Sequence, residues 1–523
     1  MVLQLFLLCL SITMSLLYYL STKKFNYWKV RNVPYLKPLP FFGNYRDFIL
    51  LKEWGPLITH RICKEFPKEP LIGAFYGTEP SLIVQDPEII KLVTTKDFYY
   101  FNSREVADYT EKEVITQNLF FTYGDKWKVI RQNLTPLFTS AKMKNMFYLI
   151  EKCARTFEMM LDEESTTSPV MDVRSIMARY TMDCIGSCAF GVETNTMKRH
   201  DTPNPYRIMG DKIFENSAAR GIKLYSRAMW PAVFYSLGYQ LFPNEITSFF
   251  KKLLIGVFES RQYKPSNRND FVDLVLNLKQ NQFVTGDSIT NLKTGEGKKV
   301  HLEVNDDMLS AQCVLFFAAG YETSATTLSF TLYELAKNQE AQLKAIAEVD
   351  EYLHRHGGKI EYDCVNELPY VEACTDEALR LYPVLSTITR ELVKDYTLPT
   401  GLRLDKGMRI HIPVYRLHHN PEYFPNPEKF LPERFLANER EKIKPFTYMP
   451  FGIGQRICIG MRFAKMQMLA GLVALFRNYR VETASDTPDE IKFDPTGIVT
   501  QPRTKINLKF VRRHDIEKQK LVY

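Results

Sequence analysis

"PFGIGQRICIG", residues 450–460, decides how this chain is to be understood, because it bends around a single cysteine. Gly452 and Gly454 precede Cys458, Gly460 follows it, and Arg456 stands two residues before it. Glycine allows tight turns and close approach of the backbone to another group. The pattern therefore indicates a functional thiol, held in a tight loop that can approach another group closely.

Several chemistries fit this pattern poorly. A zinc site needs about four ligands, but the nearest cysteine upstream is Cys374. A dinucleotide-binding loop would need a glycine where Ile457 stands. A nucleophilic cysteine would need a histidine base that only the fold could supply. A buried structural thiol is the commonest fate of a free cysteine, although it gives the flanking glycines no purpose.

A haem iron held by one thiolate needs all of these features together. The residues after Cys458, "IGMRFAKMQMLAGLVALF", predict a helix. A helix N-terminus favours the charged form of a thiol. We interpret Cys458 as the axial ligand and Arg456 as a partner for a haem propionate.

Composition sets broad limits on the class of protein. The chain has 523 residues, of which 45% are hydrophobic and 24% are charged, as in globular proteins. A net charge of +8 over this length does not indicate a nucleic-acid partner. Nine scattered cysteines favour reduced thiols over a disulfide framework.

The N-terminus carries an apolar segment. Residues 2–20 contain no charge, and about 20 apolar residues span a bilayer. Lys23, Lys24, Lys29 and Arg31 follow, and basic residues favour the cytosolic side. A cleaved signal peptide is the alternative, although a basic leading region and a typical cleavage site are missing. We predict a transmembrane anchor over 1–22, a basic, proline-rich tether over 23–44 and a catalytic body over 45–523.

The body has the pattern of one large, mainly helical domain. Residues 305–338 predict one long helix that begins at a cap near Asn305 or Asp306. Short β-rich pieces such as "PSLIVQDP" and "RIHIPVYRL" lie between the helical stretches. There is no internal repeat and no βαβ alternation. We predict a mainly α fold with small β-sheets (α+β).

Five motifs in order resemble those of the cytochrome P450 superfamily. They are "WKVIR" (127–131), "AAGYETS" (318–324), "EALR" (377–380), "PERF" (432–435) and "FGIGQRICIG" (451–460). The stretches "FTSAKMKNMF", "HHNPEYFPNPEKFLPERF" and "CIGMRFAKMQ" are similar to those of the insect microsomal monooxygenases. The resemblance implies the cytochrome P450 fold, with a single haem domain behind the anchor.

The resemblance also implies a cofactor and the residues that hold it. The cofactor would be haem b (iron protoporphyrin IX), with Cys458 on the iron. The other expected haem contacts are Trp127, Arg131, Arg390, Phe451, Gly454, Arg456 and Gly460. Glu377 and Arg380 lie three residues apart on a helix, where an ion pair forms readily, and the resemblance adds Arg434 to it. An exposed pair that contributes little is the alternative, but the resemblance implies that this group is buried and structural rather than catalytic.

The long helix is expected to carry the proton-handling residues. Ala319, Gly320 and Thr323 are spaced by one and three residues and share a face with Phe316. Glu322 and Thr323 place an acid and a hydroxyl in an apolar helix, and we expect them to deliver protons. A threonine that bonds its own backbone is the plainer alternative. The weaker substrate-pocket candidates are Phe120, Phe316, Ala319, Gly320, Val384, Leu385 and Ile498.

By resemblance, the protein is a monooxygenase of the endoplasmic reticulum membrane, with its catalytic domain on the cytosolic face. It would insert one oxygen atom from O2 into small lipophilic substrates, which are xenobiotics or endogenous lipids.

No flavin or nicotinamide fingerprint is present, so electrons from NADPH would come through NADPH–cytochrome P450 reductase, with cytochrome b5 as a further candidate partner. The basic residues suited to docking are Lys126, Lys128, Lys142, Lys144, Arg462 and Lys465. A solvated basic face is the alternative for this cluster. A thiolate-haem isomerase or dehydratase, and a haem-containing binding protein without turnover, are the alternative functions.

Overall fold

Helices predominate in the chain. The structure, a computed structural model, describes residues 1–104, 106–199, 202–266, 268 and 270–513. In the first half the α-helices are α1 (Val2–Thr22), α2 (Tyr27–Val30), α3 (Arg46–Ile49), α4 (Gly55–Glu65), α5 (Pro87–Lys91), α6 (Gly124–Leu134), α7 (Ser140–Thr167), α8 (Val173–Ile185), α9 (Pro205–Ile213), α10 (Ala218–Met229), α11 (Pro231–Ser236) and α12 (Asn244–Ser260). In the second half they are α13 (Phe271–Asn281), α14 (Asn291–Thr294), α15 (Asp306–Lys337), α16 (Gln339–Arg355), α17 (Cys364–Glu367), α18 (Pro369–Leu381), α19 (Val414–His418), α20 (Ala437–Glu441) and α21 (Met461–Asn478).

The strands form small sheets at the edges of the helical body. They are β1 (Leu71–Tyr76), β2 (Glu79–Val84), β3 (Val170–Asp172), β4 (Phe283–Asp287), β5 (Lys299–Glu303), β6 (Ile388–Glu391), β7 (Tyr396–Thr397), β8 (Arg403–Leu404), β9 (Arg409–Ile412), β10 (Tyr479–Thr483) and β11 (Asn507–Arg512). The sheet orders are β1-β2-β9-β6, β10-β11-β3, β4-β5 and β7-β8. The β2–β9 pair is parallel, and the other pairs are antiparallel. This confirms the predicted mainly α fold with small sheets.

The N-terminal helix α1 is long and apolar enough to cross a membrane, and almost all of it is exposed. The chain that follows it is held on the first sheet. Trp28 is fully buried, and its indole N–H donates to the Ala74 carbonyl at 2.9 Å. A Cβ on Gly73 would lie 2.4 Å from this indole, so the glycine makes room for the ring. The body thus begins to pack directly after α1.

Helix α15 runs through the centre of the body and packs along α8 and α18. The Asn305 side chain accepts the Met308 N–H at 2.8 Å, which confirms the predicted start of the helix. A Cβ on Gly320 would lie 2.6 Å from the Ile185 side chain of α8. The absence of a side chain at Gly320 therefore allows α15 and α8 to pack closely.

Candidate active site

The loop before α21 owes its shape to two glycines. The backbone N–H of Cys458 donates to the Phe451 carbonyl at 2.9 Å and closes the loop. Gly452 has a φ of 73° and Gly454 a φ of 71°, both in the left-handed region that favours glycine. A Cβ on Gly454 would also lie 2.1 Å from the Thr94 carbonyl oxygen. The backbone around Thr94 therefore explains Gly454, which does not line the cavity described below.

Cys458 lies three residues before α21 and faces a cavity. Its side chain is exposed to this cavity. Burial raises the pKa of the Cys458 thiol, whereas the Gly460 backbone N–H, Arg131 and Arg104 act to lower it. Burial thus favours the neutral thiol, whereas the nearby positive groups act in the opposite direction and favour the thiolate.

The cavity has a volume of about 290 Å³ and lies between α15 and the cysteine loop. Ala319, Gly320 and Thr323 of α15 line it, as do Val384 and Leu385 after α18. The cavity is also lined by most of the other candidate residues: Phe120, Phe316, Trp127, Arg131, Arg390, Phe451, Arg456 and Gly460. The structure thus brings most of the candidate haem and substrate residues to one mostly apolar space. Ile498 is outside this lining and packs against the main hydrophobic core.

Four arginines line the cavity: Arg104, Arg131, Arg390 and Arg456. Within the described part of the chain, none of the four guanidinium groups pairs with a carboxylate. Asp270, which also lines the cavity, is bound instead to Arg261 at 2.7 Å and to Arg268 at 3.2 Å.

Burial lowers the pKa of Arg104 to about 9 and that of Arg390 to about 10. Burial and then the neighbouring Arg104, Arg390 and Arg131 lower the pKa of Arg456 far more. Buried charges without counter-charges are unfavourable. The cluster is therefore suited to an anionic ligand.

The contacts of Arg456 and Arg390 support this conclusion. Arg456 stacks over the Trp127 ring, with 4.6 Å between the guanidinium carbon and the ring centroid, and donates to the Thr122 carbonyl at 2.6 Å. Arg390 donates to the Thr389 carbonyl at 2.8 Å. The Nε atoms of Arg390 and Arg456 are buried and have no hydrogen-bond partner among the described residues. The two propionates of a haem would supply such partners.

Arg104 is the member of this cluster that the sequence analysis missed. It donates to the Phe120 carbonyl at 3.0 Å, and its guanidinium carbon lies 3.7 Å from the Phe120 ring centroid. In the sequence it is one arginine after the aromatic run "FYYFNS". No spacing rule separates such an arginine from a surface one, and only the fold reveals its position.

Glu377, Arg380 and Arg434 form a buried cluster behind α18. Arg380 Nε lies 2.7 Å from Glu377 Oε2, and both side chains are fully buried. Arg434 Nε lies 3.4 Å from Glu377 Oε1, which also accepts the Leu431 N–H at 2.9 Å. Arg380 also donates to the carbonyls of His418, Pro427 and Lys429. The cluster ties α18 to the chain between residues 418 and 434.

Thr323 and Glu322 point in different directions. Thr323 lines the cavity, and its Oγ1 donates to the Ala319 carbonyl at 2.7 Å. Glu322 does not line the cavity and is fully buried on another side of α15. Its Oε1 lies 2.6 Å from Arg174 Nη2 and accepts from the Gln501 amide at 2.6 Å. The structure therefore does not place the carboxylate beside the Thr323 hydroxyl inside the cavity.

Cys458 and four arginines that have no carboxylate partner among the described residues line a mostly apolar cavity in a mainly helical body, an arrangement that fits a haem-thiolate protein. The family model of cytochrome P450 matches residues 33–510. Similar proteins include cytochrome P450 6B2 of Helicoverpa armigera, 38% identical over 97% of this chain and 98% of the relative. Cytochrome P450 6B1 of Papilio polyxenes is 37% identical over 98% of this chain and 100% of the relative. Cytochrome P450 6k1 of Blattella germanica is 35% identical over 94% of this chain and 93% of the relative.

The chain belongs to the cytochrome P450 family and is a cytochrome P450 monooxygenase. The family implies a haem cofactor, and the thiol and arginine cluster described above fits it. Family members use redox partners and lipophilic substrates. The insect relatives and the apolar helix α1 together suggest a membrane-anchored protein.

Proposed function

We propose that this protein inserts one oxygen atom from O2 into small lipophilic compounds, with haem b as cofactor and electrons from NADPH. The electrons would arrive through NADPH–cytochrome P450 reductase, with cytochrome b5 as an additional donor. The observation that carries the proposal is the cavity itself, which combines the Cys458 thiol of the glycine-bent loop, four arginines without carboxylate partners among the described residues, and a mostly apolar lining. The expected location is the endoplasmic reticulum membrane, with α1 as the anchor and the body on the cytosolic face.

In this proposal Cys458 would bind the haem iron, and Arg104, Arg131, Arg390 and Arg456 would hold the propionates. Haem bound through a thiolate supplies O2 activation, since the electron-rich sulfur favours cleavage of the O–O bond. The arginines supply the positive charge that two buried carboxylates need, and guanidinium groups suit carboxylates because they can bind them in a bidentate manner.

The apolar part of the lining selects and orients the substrate. Val384, Leu385 and Phe120 offer few polar contacts, so a lipophilic molecule gains from leaving water there. Ala319 and Gly320 lack bulky side chains and leave the substrate room next to α15. The stacked Arg104 guanidinium restricts the Phe120 ring.

Thr323 is the proposed proton-handling group in the cavity. Its proton is engaged with the Ala319 carbonyl, so its oxygen lone pairs are free to accept a hydrogen bond from a water in the cavity. Glu322 would act indirectly, because its carboxylate lies on another side of α15, outside the cavity. Arg174 keeps this carboxylate paired and is itself about a quarter exposed, so the pair links the buried helix with solvent.

The basic surface near the cysteine loop is the proposed docking face for the reductase. Lys144 and Arg462 are exposed, and Lys128 and Lys142 are partly exposed. Lys126 pairs with Glu111 at 2.5 Å, and Lys465 pairs with Glu372, so these two offer less free charge. Complementary charge accelerates the association of partners.

The test compares two thiols that line the same cavity. Cys458→Ala should abolish the red-shifted Soret band of the reduced, carbon monoxide-bound protein and NADPH-dependent product formation with reductase in reconstituted membranes. Cys188 also lines the cavity and is buried, so Cys188→Ala is the matched control and should keep both. A thiolate spectrum that survives in Cys458→Ala would contradict the assignment of the ligand. A wild-type protein that binds haem but makes product without NADPH would instead favour an isomerase or dehydratase.

A further inference from the structure

Gln467 of α21 lies at the junction of three helices. Its side chain is fully buried, and its amide nitrogen donates to the Gly320 carbonyl of α15 at 2.9 Å. The same nitrogen lies 2.6 Å from the Ser324 hydroxyl oxygen. The backbone carbonyl of Gln467 accepts a hydrogen bond from the Tyr180 hydroxyl of α8 at 2.8 Å. One residue thus connects the helix that follows the cysteine loop with the helix above the cavity.

Two glycines allow these helices to approach closely. A Cβ on Gly320 would lie 2.6 Å from Ile185 of α8, and a Cβ on Gly471 of α21 would lie 2.6 Å from the Tyr180 ring. Close approach brings the Gln467 amide within hydrogen-bond distance of the α15 backbone. The orientation of the Gln467 side-chain amide is fixed, because the Gly320 carbonyl can only accept a hydrogen bond and the NH2 group must therefore face it.

The turn of α15 that Gln467 contacts is the one that borders the cavity. Side-chain donors lie within hydrogen-bond distance of three consecutive carbonyls there: Thr323 Oγ1 at Ala319, Gln467 Nε2 at Gly320, and Thr181 Oγ1 at Tyr321, 3.0 Å away. Hydroxyl groups that bond to helix carbonyls compete with the helix's own hydrogen bonds and tend to bend helices. Glycine adds backbone freedom at the same point. The conformation of this turn therefore depends on which side-chain donors reach its carbonyls.

Stability alone does not explain a glutamine at this position. Its Oε1 is buried and has no partner among the described residues. A buried acceptor without a partner is destabilising. A methionine of similar size would fill the same space without this cost.

We infer that Gln467 is a positioning residue, which fixes the Gly320 carbonyl and thereby holds the turn with Ala319 and Thr323 over the cavity. The inference rests on the proposed function for its catalytic consequence, since a displaced Thr323 would handle protons less well. Its structural consequence is independent of turnover and can be measured separately.

The structural test is amide hydrogen exchange in peptides that cover residues 313–330. Gln467→Met should speed exchange about fivefold around residues 319–324, which corresponds to the loss of one hydrogen bond. Ser324→Ala is the matched control, because it removes the other Gln467 contact and leaves the Gly320 bond. Unchanged exchange in Gln467→Met, or an equal increase in Ser324→Ala, would overturn the inference. Failure of the proposed function would show differently, as wild-type protein without NADPH-dependent product.

The catalytic test is the ratio of product formed to NADPH consumed. Gln467→Met should keep its haem and its thiolate spectrum, while the ratio falls several-fold and hydrogen peroxide rises. An unchanged ratio at full haem occupancy would show that the residue does not position Thr323.

Gln467→Glu gives a second variant in case the methionine variant does not fold. The introduced carboxyl has the same size and can donate to Gly320 only when it is protonated. Buried carboxyls titrate as high as about pH 8–9. Relative to wild type at each pH, exchange in residues 319–324 should therefore increase as the pH is raised from about 6 to 9. If the exchange rate in Gln467→Glu stays equal to that in wild type across this pH range, the inference is contradicted.

Discussion

At the scale of single residues, the Thr323 hydroxyl could serve both helix hydrogen bonding and proton handling. It does what the hydroxyls of many helical threonines do and donates to the carbonyl four residues earlier. The same oxygen also faces the cavity, where few polar groups are available. Backbone bonding and proton handling are therefore compatible in one residue, and only a measurement of electron use separates them.

We predict that Thr323→Ala uncouples NADPH consumption from product formation. Alanine is a better helix former than threonine, so the fold, haem content and substrate binding should survive. Loss of a general acid–base group typically costs about 10²–10⁴-fold in rate, but water in the cavity can replace part of the hydroxyl's function, so a smaller drop is expected. The measured quantity is product formed per NADPH consumed, together with hydrogen peroxide.

Thr331→Ala is the matched control for this experiment. Thr331 is buried in the same helix and donates to the Thr327 carbonyl at 2.9 Å, but it does not line the cavity. Its variant should keep the wild-type ratio. Equal ratios in Thr323→Ala and wild type would assign Thr323 a structural role only.

The sequence predicted some site residues much better than others. Cys458 could be identified because glycines, an arginine and a helix start surround it within eleven residues. Arg104 and Gln467 could not, because each acts on a part of the chain far away in sequence. The pair Glu322–Thr323 is instructive, since adjacent residues in a helix point about 100° apart. Adjacency in sequence therefore did not bring the acid into the cavity.

At the scale of elements, the buried cluster behind α18 fixes how that helix sits against residues 418–434. Glu377 accepts from Arg380, Arg434 and the Leu431 N–H, so three groups depend on one carboxylate. A buried ion pair contributes little net stability compared with an apolar packing, but removal of one partner leaves a buried charge.

Glu377→Gln should therefore be strongly destabilising. Arg380 would stay fully buried without its counter-charge, at a cost of about 3–5 kcal/mol. We expect a lower urea midpoint and poor haem retention. Glu340→Gln is the control, since Glu340 pairs with Lys344 at 3.0 Å but is 87% exposed. Such an exposed pair contributes little to stability, so similar midpoints for both variants would refute the structural role of Glu377.

Elements were predictable where local signals and burial agree. Helix α15 begins at the predicted Asn305 cap, and α21 begins directly after the cysteine loop, as its apolar pattern indicates. The pairing of β2 with β9 joins residues more than 300 positions apart, and no local pattern encodes such a contact. Likewise, the packing of Trp28 on β1 was not foreseen, because the prolines that follow indicate an extended spacer.

At the scale of the whole molecule, the packing of α4 on α19 makes the body sensitive to acid. His60 of α4 and His419, directly after α19, lie in one aromatic group with Tyr415. Burial, and then Lys64 and Arg416, lower the pKa of His60 to about 4. Burial and Arg380 lower the pKa of His419 to about 3. Both histidines are therefore neutral in the folded protein at pH 5–7.

We predict that stability falls as the pH drops below about 6.5. An exposed histidine in the unfolded chain binds a proton near pH 6.5, whereas the folded His60 does not until about pH 4. The unfolded state therefore binds more protons between these values, and each such histidine costs as much as about 1–2 kcal/mol by pH 5. Their contribution is fully present above about pH 7 and is lost as the pH falls. The measurement is the urea midpoint at pH 7.5 and pH 5.5.

Two substitutions test this prediction through the difference between the urea midpoints at pH 7.5 and pH 5.5. His60→Phe keeps an aromatic ring beside Tyr415 and removes one titrating group, so the difference between the two midpoints should shrink. His356 is the control, because hydrogen bonds to Glu367 and Glu361 raise its pKa. Its contribution is present at low pH and is lost as the pH rises through the folded pKa, so His356→Gln should enlarge the difference between the midpoints or leave it unchanged. If His60→Phe loses as much stability on acidification as wild type does, the acid sensitivity arises elsewhere in the molecule.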